Sequence, residues 1–246
     1  MARTKSIPRS LAAVTPLVEL VGEQLEILLT PGPGELLGVA RTRGPVSGRT
    51  DGAAAWLLVE GGRGQLQVGD TTVAVVGRDD VFEGSGWSAT IPPATSFALD
   101  GHLNATVVWR PSERPAAMRV IDPADVVEET RGEGPTSRRV RTYVPSGPLI
   151  VGETLNEPGG WSSWPPHHHE HEEMYLYRFD SDLGFGIHVG YDDTSDRPVT
   201  VRDGSVVRIT TGWHPVVAAP SSTMYYLWAL AGDADVVDTR VDDRYT

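Results

Sequence analysis

Turn-forming residues interrupt the hydrophobic sequence of this chain throughout its length. The 246 residues include 27 glycines and 19 prolines, which disfavour helix interiors and mark turns. Between them lie short segments rich in strand-forming residues, and none shows the apolar period of a convincing amphipathic helix. Many short strands separated by turns are typical of β-sandwiches and β-barrels, so we predict an all-β fold.

The strand signal is sharpest at Gly69-Asp70, because this dipeptide between two alternating segments favours a two-residue hairpin turn. The two segments of this hairpin are residues 65–68 and 71–75. The aromatic run 225–228 fits either a core strand or an interface in a homo-oligomer. Further strands are predicted at residues 55–60, 88–91, 106–109, 149–155, 185–189, 205–209 and 224–230.

The two halves of the chain share one pattern. Each has a hairpin with a glycine turn, then a strand that ends in a proline or glycine turn, at residues 89–93 and at residues 208–212. The Pro- and Arg-rich segment 111–115 lies between the halves and marks a boundary. We therefore predict two domains, residues 1–115 and residues 116–246.

Composition excludes several classes of function. A formal net charge of −12 disfavours a nucleic-acid partner, and no apolar run reaches the roughly 20 residues of a membrane span. The basic first ten residues precede an apolar run that Thr15, Pro16 and Glu19 break, which does not fit a signal peptide. We expect a cytoplasmic protein without membrane partners. The absence of cysteine excludes disulfides, thiolate ligands and iron–sulfur clusters.

Metal-ligating side chains are concentrated in the second half. Four of the seven histidines lie within residues 167–171. Alternate side chains of an extended chain share a face, so His167 and His169 are about 6 to 7 Å apart and can bind one ion. Glu173 lies about 13 Å further along a straight strand, so the chain must turn before it. His214, which follows a predicted strand, completes the predicted ligand set for a divalent metal ion.

The other histidines are not expected to bind the ion. His168 faces the opposite way by the same alternation, and His171 lies in the turn, where we expect it in the second shell or in solvent. His102 and His188 lack the spacing of ligands, so each is expected to be a packed or surface residue.

Several runs of sequence resemble one family. His167-x-His169 and Glu173, followed later by Gly212-x-His214, are similar to the metal signature of cupins. Longer runs resemble the 5-deoxy-glucuronate isomerases of myo-inositol catabolism, and weaker similarity extends into the first half. The longer runs are residues 160–169, 172–175, 212–216 and 225–232, and the weaker ones are residues 77–84 and 131–139.

The resemblance implies a fold and an activity. The fold would be a bicupin, with two β-barrel or jelly-roll domains of which only the C-terminal one binds metal, through His167, His169, Glu173 and His214. The activity would be the metal-dependent conversion of 5-deoxy-glucuronate to 5-dehydro-2-deoxy-gluconate in inositol catabolism, with a small sugar acid as the partner.

The chain also departs from the family pattern. The family usually has Lys where His168 stands, Gln-Arg where His188 and Val189 stand, and a longer acidic loop before the glutamate pair. It also has an Asp-Pro-x-His-x-Trp run near the C-terminus that this chain lacks. The metal ligands are retained, whereas part of the family's substrate pocket is replaced.

An aldose–ketose isomerase must move a proton between adjacent carbons while one oxygen gains charge. A divalent cation that chelates two substrate oxygens stabilises that charge, and a general base must reach the carbon-bound proton. If Glu173 faces the barrel, alternation places Tyr175 and Tyr177 inside as well, and Arg178 outside. The candidates for the base are Glu172, Tyr175, Tyr177 and His171.

Candidates for substrate contact lie on other segments. Arg208 can bind a carboxylate through two parallel hydrogen bonds. Trp164, with Trp161 and Trp213, is expected to line the mouth of the barrel. His188 is the third candidate for substrate contact.

The residues alone leave alternatives open. Histidine and glutamate accept Zn, Mn, Fe, Co or Ni, so the metal is not identified. Three histidines and one glutamate also suit an iron(II) oxygenase. A third hypothesis is a binding or sensor protein that is stabilised by metal and has no turnover.

Overall fold

The computed structural model describes residues 11–14, 18–114 and 116–246. The described residues form 22 β-strands and three short 3₁₀ helices, so the prediction of an all-β fold is confirmed. None of their helices has the length and apolar character of a membrane span. The first ten residues, on which the signal-peptide prediction depends, lie outside the described residues. The 3₁₀ helices are Pro123–Asp125, Gly134–Thr136 and Asp243–Tyr245.

The first sheet contains ten strands and is built around two long ones, β6 and β9, which pair along almost their whole length. The predicted hairpin at Gly69-Asp70 is confirmed, because β6 and β7 flank this turn and Gly69 has a φ of 54°. The strands are β1 Leu11–Val14, β2 Val18–Gly22, β3 Leu25–Leu29, β4 Gly38–Arg43, β5 Val46–Thr50, β6 Ala53–Val68, β7 Thr71–Val76, β8 Ser88–Ile91, β9 Ser96–Pro111 and β10 Arg119–Ile121.

The rest of the chain forms three smaller sheets. Six strands form the order β11-β12-β13-β21-β16-β19, four form β14-β20-β17-β18, and β15 pairs with β22. The strands are β11 Glu128–Arg131, β12 Arg138–Val144, β13 Leu149–Asn156, β14 Trp161–Ser162, β15 His167–His168, β16 Glu172–Phe179, β17 Gly186–Tyr191, β18 Asp196–Val201, β19 Val206–Ile209, β20 Val216–Ala218, β21 Met224–Ala231 and β22 Arg240–Val241.

Most of the predicted strand positions lie within observed strands, although residues 185 and 205 fall just before theirs. The run 225–228 belongs to β21, between β13 and β16, and is a core strand. The predicted domain boundary at residue 115 stays a prediction. Strand β10 still pairs with β8 of the first sheet, so the sheets change over between residues 121 and 128.

The inner faces of the two strand systems differ in chemistry. The first system encloses a cluster of aliphatic and aromatic side chains that includes Leu57, Leu66 and Trp109. The six- and four-stranded sheets enclose Tyr175, Tyr177 and other aromatic residues. Hydroxyl groups therefore enter the second interior.

The two strand systems pack against each other through their outer faces. Trp56 and Val108 of the first sheet share an apolar cluster with Leu176 and Leu227 of the second. Charged side chains are also buried at this interface. A buried charge is tolerated where a partner compensates it.

Glu153 is the centre of this buried charge network and is fully inaccessible to solvent. Its carboxylate accepts hydrogen bonds from both terminal nitrogens of Arg78, from Arg141, and from the hydroxyls of Tyr143 and Tyr225. Burial alone would raise the pKa of Glu153, but Arg78 and Arg141 outweigh it and hold the pKa below its ordinary value. The carboxylate is therefore charged and links the loop at Arg78 to the second sheet.

Replacing this carboxylate should strongly destabilise the folded protein. In the Glu153→Gln variant, the buried guanidinium of Arg78 loses its counter-charge and that of Arg141 keeps only Glu128. We expect the free energy of unfolding to fall by about 3–5 kcal/mol. Urea denaturation followed by tryptophan fluorescence measures the loss. The control is Glu129→Gln, which removes an exposed ion pair with Arg131 and should leave the unfolding midpoint almost unchanged. Similar midpoints for the two variants would contradict the assignment.

Candidate metal centre

The structure brings the four predicted ligands together inside the second strand system. One ring nitrogen from each of His167, His169 and His214 lies within 4.8 Å of the other two. Oε2 of Glu173 is 3.2 Å from Nε2 of His169 and 3.2 Å from Nε2 of His214. Among the described residues, these histidines are the one group of three or more His, Cys, Asp or Glu side chains that meets this spacing.

Short strands and turns position these ligands. His167 lies in β15, which pairs with β22, and His169 follows it directly. Glu173 is the second residue of β16. His214 precedes β20, and Gly212 has a φ of 84°, a left-handed conformation that glycine adopts without strain. The turn predicted between His169 and Glu173 is therefore present.

The second nitrogen of each imidazole faces a backbone carbonyl. The Nδ1–O distances are 3.3 Å from His167 to Pro165, 2.9 Å from His169 to His171 and 3.2 Å from His214 to Gly212. A carbonyl only accepts, so each Nδ1 is the donor and the metal-binding role falls to Nε2. Metal-ligating histidines are usually oriented in this way.

His214 provides the test of whether these residues fit a metal ion. Its side chain is buried, yet its Nε2 makes no hydrogen bond of acceptable geometry, although Glu173 lies nearby. A buried polar atom without a partner is costly. An ion bound by the three Nε2 atoms and Glu173 would satisfy it, so the donor set fits a divalent metal ion with mixed nitrogen and oxygen ligands.

The electrostatics also suit a cation. Burial, with the neighbouring His214, lowers the pKa of His167 to about 4, so this ring is neutral at neutral pH. Burial would raise the pKa of Glu173, but the adjacent imidazoles of His169 and His214 hold it below its ordinary value. Neutral imidazole and ionised carboxylate are the forms that bind metals.

Tyr175 and Tyr177 lie on the same face of β16 as Glu173, as the alternation predicts, and both are buried. The Tyr175 hydroxyl is 2.8 Å from Oγ of Ser163. The Tyr177 hydroxyl is 2.8 Å from Nδ1 of His188. Burial, reinforced by the charge of Glu173, raises the pKa of Tyr175 well above its ordinary value.

The structure places Glu172, one of the predicted candidate bases, away from the three histidines. Glu172 is adjacent to Glu173 in β16, so its side chain points to the outer face. Its carboxylate accepts hydrogen bonds from the backbone amides of Leu36 at 2.8 Å and Leu37 at 2.9 Å. Glu172 therefore links the second sheet to the first half of the chain and does not reach the histidines.

Arg208, which is predicted to bind substrate, also points to the outer face. Arg208 lies directly opposite Met174 in the β16–β19 register, and directly opposed residues project from one face of a sheet. Met174 belongs to the outer cluster. The guanidinium of Arg208 donates to the carbonyl of Leu37 and forms ion pairs with Glu35 and Glu172.

The remaining candidates lie beside the metal site but do not line the cleft that opens onto it, which is described below. The Nε2 of His171 is 2.9 Å from the carbonyl oxygen of Ala234. The backbone carbonyl of His171 accepts the hydrogen bond from Nδ1 of His169. Trp164 packs edge-on against Trp161 and Tyr245. His188 is buried behind the tyrosines, and this burial, with His214, lowers its pKa to about 4. None of the three is among the residues that line this cleft.

Two further predictions about histidines agree with the structure. The ring of His168 points away from the cluster and packs edge-on against Trp213, with 5.4 Å between the ring centroids. His102 is exposed on the first strand system. Neither side chain contributes to the ligand set.

A cleft of about 340 Å³ opens onto the ligands. Its walls include polar residues that the sequence analysis missed, namely Arg138, Thr154 and Tyr226, and the indole of Trp228. Gly152 lies opposite Trp228, where any side chain would collide with the indole. The alternation along β12, β13 and β21 could have identified these residues as facing inward. Because the outer face of the sheet is buried as well, the sequence does not show which set of alternate residues faces the cleft.

The all-β architecture, with three imidazoles and a carboxylate inside the second strand system, defines a cupin-like protein. An IolB-like protein from Salmonella typhimurium superposes with a TM-score of 0.82 at 24% identity, over 91% of this chain and 98% of that one. Oxalate decarboxylase from Bacillus subtilis covers 94% of this chain and 77% of its own, with a TM-score of 0.60 at 12% identity. These likenesses establish the fold.

The chain belongs to the KduI/IolB family, whose sequence model matches residues 45–246. Curated relatives are named 5-deoxy-glucuronate isomerase. The protein of Geobacillus thermodenitrificans is 34% identical over 173 residues, which are 63% of each chain. That of Bacillus licheniformis is 35% identical over 174 residues, or 63% of this chain and 64% of the relative. The chain thus matches slightly less than two thirds of the length of these relatives.

Metal content should separate the two neighbouring histidines. In His169→Ala an Nε2 donor is lost, and we expect metal affinity to fall by more than the roughly 10–100-fold that loss of a second-shell partner costs. Titration with a chromophoric chelator, after reconstitution with Mn²⁺ or Zn²⁺, measures this affinity. His168→Ala is the control and should bind metal like the unsubstituted protein. Equal losses in both variants would show that the ligand face is misassigned.

Proposed function

We propose that the protein is a metal-dependent aldose–ketose isomerase that acts on a deoxy-uronic acid, converting 5-deoxy-glucuronate to 5-dehydro-2-deoxy-gluconate in inositol catabolism. The observation that carries the proposal is the set of three histidines whose Nδ1 atoms all face backbone carbonyls, with the carboxylate of Glu173 beside His169 and His214. The names of the curated relatives support the substrate.

We further propose that the chain is a bicupin that binds metal only in its second barrel. The division would lie between β10 and β11, slightly later than residues 1–115 and 116–246. The first barrel has an interior of aliphatic and aromatic side chains, and the one group of metal-ligating side chains found among the described residues lies outside it. The second encloses the histidines and Glu173.

His167, His169, Glu173 and His214 would hold the ion. A divalent ion there supplies Lewis acidity toward the adjacent carbonyl and hydroxyl oxygens of an aldose. The ligands suit Zn, Mn, Fe, Co or Ni. The Bacillus subtilis oxalate decarboxylase, a structural neighbour, has Mn(II) centres.

Tyr175 is the best placed of the four proton-transfer candidates. It lines the cleft, whereas Glu172 points outward, His171 binds a backbone carbonyl and Tyr177 is fully buried. Its hydroxyl, held by Ser163, can donate or accept a hydrogen bond at a substrate oxygen. Tyr177 and His188, packed behind it, fix its position.

The direct test is an assay of the reconstituted protein with 5-deoxy-glucuronate. We expect ketose to form, to stop when a chelator removes the ion, and to resume when one divalent metal is restored. Oxygen uptake stays at background. Uptake of oxygen with Fe(II) would instead support the oxygenase hypothesis, and tight binding without turnover would support the sensor.

Removing one hydroxyl should slow the reaction without removing the ion. In Tyr175→Phe we expect kcat to fall by about 10²–10⁴-fold, the range for a lost acid–base group, while metal content is unchanged. The comparison is Tyr177→Phe, whose hydroxyl does not line the cleft and whose loss should cost less. A kcat in Tyr175→Phe within threefold of the unsubstituted enzyme would exclude the role.

A further inference from the structure

The charge inside the cleft is almost entirely positive once the metal ligands are set aside. Of the described residues that line it, Glu173 is the one acidic side chain, and its carboxylate faces His169 and His214. The other charged lining residues are Arg131 and Arg138. An anionic substrate group would therefore find its counter-charge at these arginines.

Arg138 belongs to the inner face of the second strand system. It shares this face of β12 with Val140 and Thr142, which also line the cleft. Arg139 and Arg141 project from the opposite face, and Arg141 reaches the buried Glu153 there. Three arginines close together in the sequence thus face two different environments.

The guanidinium of Arg138 lacks a carboxylate partner. It is half-buried and donates one hydrogen bond, 3.0 Å long, to the carbonyl of Thr136. No Asp or Glu oxygen of the described residues lies within ion-pair distance of it, whereas Arg78, Arg141 and Arg208 are all ion-paired. A guanidinium has five N–H donors in a planar fork, so the described residues use little of the hydrogen-bonding capacity of this cleft-lining side chain.

Arg131 adds a second positive charge at the same place. The β11–β12 register sets Arg131 directly opposite Arg138, and like charges at opposed positions destabilise a sheet. The guanidinium of Arg131 is exposed and pairs with Glu129. An anion bound between the two strands would offset the repulsion.

Contacts along the cleft wall connect Arg138 with the metal site. The ring of Tyr226 lies 4.3 Å from that of Tyr175, which lies 6.2 Å from that of His214. Burial raises the pKa of Tyr226, and the charge of Arg138 opposes this rise, so the field of Arg138 reaches the phenol. A sugar acid with one end at the histidines can therefore extend along Tyr175 and Tyr226 toward Arg138.

We propose that Arg138 recognises the carboxylate of a sugar acid in this cleft, through parallel hydrogen bonds from its guanidinium, while the opposite end of the sugar meets the histidine cluster. Arg131 strengthens the positive field. The sugar-acid identity of the ligand rests on the proposed function, but the preference for a carboxylate is a property of the cleft itself. This assignment replaces Arg208 as the carboxylate-binding residue.

The test compares two probes that differ in one group. D-Glucuronate carries a carboxylate where D-glucose carries a hydroxymethyl group, and calorimetric titration of each into the metal-loaded protein gives the preference for the acid. We expect the unsubstituted protein to prefer D-glucuronate, and Arg138→Gln to lose about 10–100-fold of this preference, since a hydrogen bond to a charged group contributes about 1.5–3 kcal/mol. The preference should also weaken as salt is added.

Arg139→Gln is the matched control. Arg139 is adjacent on β12, points outward and makes only long contacts of 3.8 Å with Glu128 and 4.0 Å with Glu157. This variant should keep the preference in full. Arg138→Lys keeps the positive charge but lacks the planar guanidinium with its parallel donors. It should lose most of the preference for the acid while retaining the metal. This variant tests the proposal if Arg138→Gln folds poorly.

The outcomes separate this proposal from the isomerase assignment. An unchanged preference in both Arg138 variants, or no preference in the unsubstituted protein, overturns the role of Arg138. If the unsubstituted protein prefers the acid and Arg138→Gln does not, while 5-deoxy-glucuronate is not turned over, the isomerase assignment fails and the role of Arg138 stands.

Discussion

Alternation along a single strand organises both the interior and the interface of this protein. Glu173 of β16 points inward to His169 and His214, and Glu172, one peptide away, points outward to the amides of Leu36 and Leu37. A β-strand directs adjacent side chains to opposite faces. The strand therefore cannot shift register without moving both carboxylates to the wrong side. Two charged groups, each costly to bury alone, fix its position.

The sequence predicted that His167, His169, Glu173 and His214 lie together, because their positions are set by local spacing. The separation of His167 and His169 and the turn before Glu173 depend on a few consecutive residues, and His214 was identified from the turn that surrounds it. The directions in which Glu172 and Arg208 point could not be read from the sequence, because both faces of the six-stranded sheet are buried. In such a sheet a polar residue can belong to the interior or to the interface with the first half, and only the tertiary packing decides.

The sequence predicted the all-β class of the fold better than it predicted the lengths and number of the strands. The short predicted segments 55–60 and 65–68 are parts of one long strand, β6, because Gly62 and Gly64 within it let the backbone of β9 approach closely. Strand β12 was not predicted, because its three arginines do not give the apolar alternation of a typical strand. Their charges face two separate environments on the two sides of the sheet. The residues that line the cleft, Arg138 and Tyr226 among them, emerge only from the pairing of distant strands.

The pairing of β15 with β22 has a practical consequence for studying this protein. Val241 pairs with the ligand His167, Asp242 donates a backbone hydrogen bond to Pro166, and Tyr245 packs on Trp164. An oligohistidine tag fused after residue 246 would be tethered beside the ligands at high effective concentration and would compete for the ion. Metal stoichiometry is therefore best determined on protein from which any such extension has been cleaved.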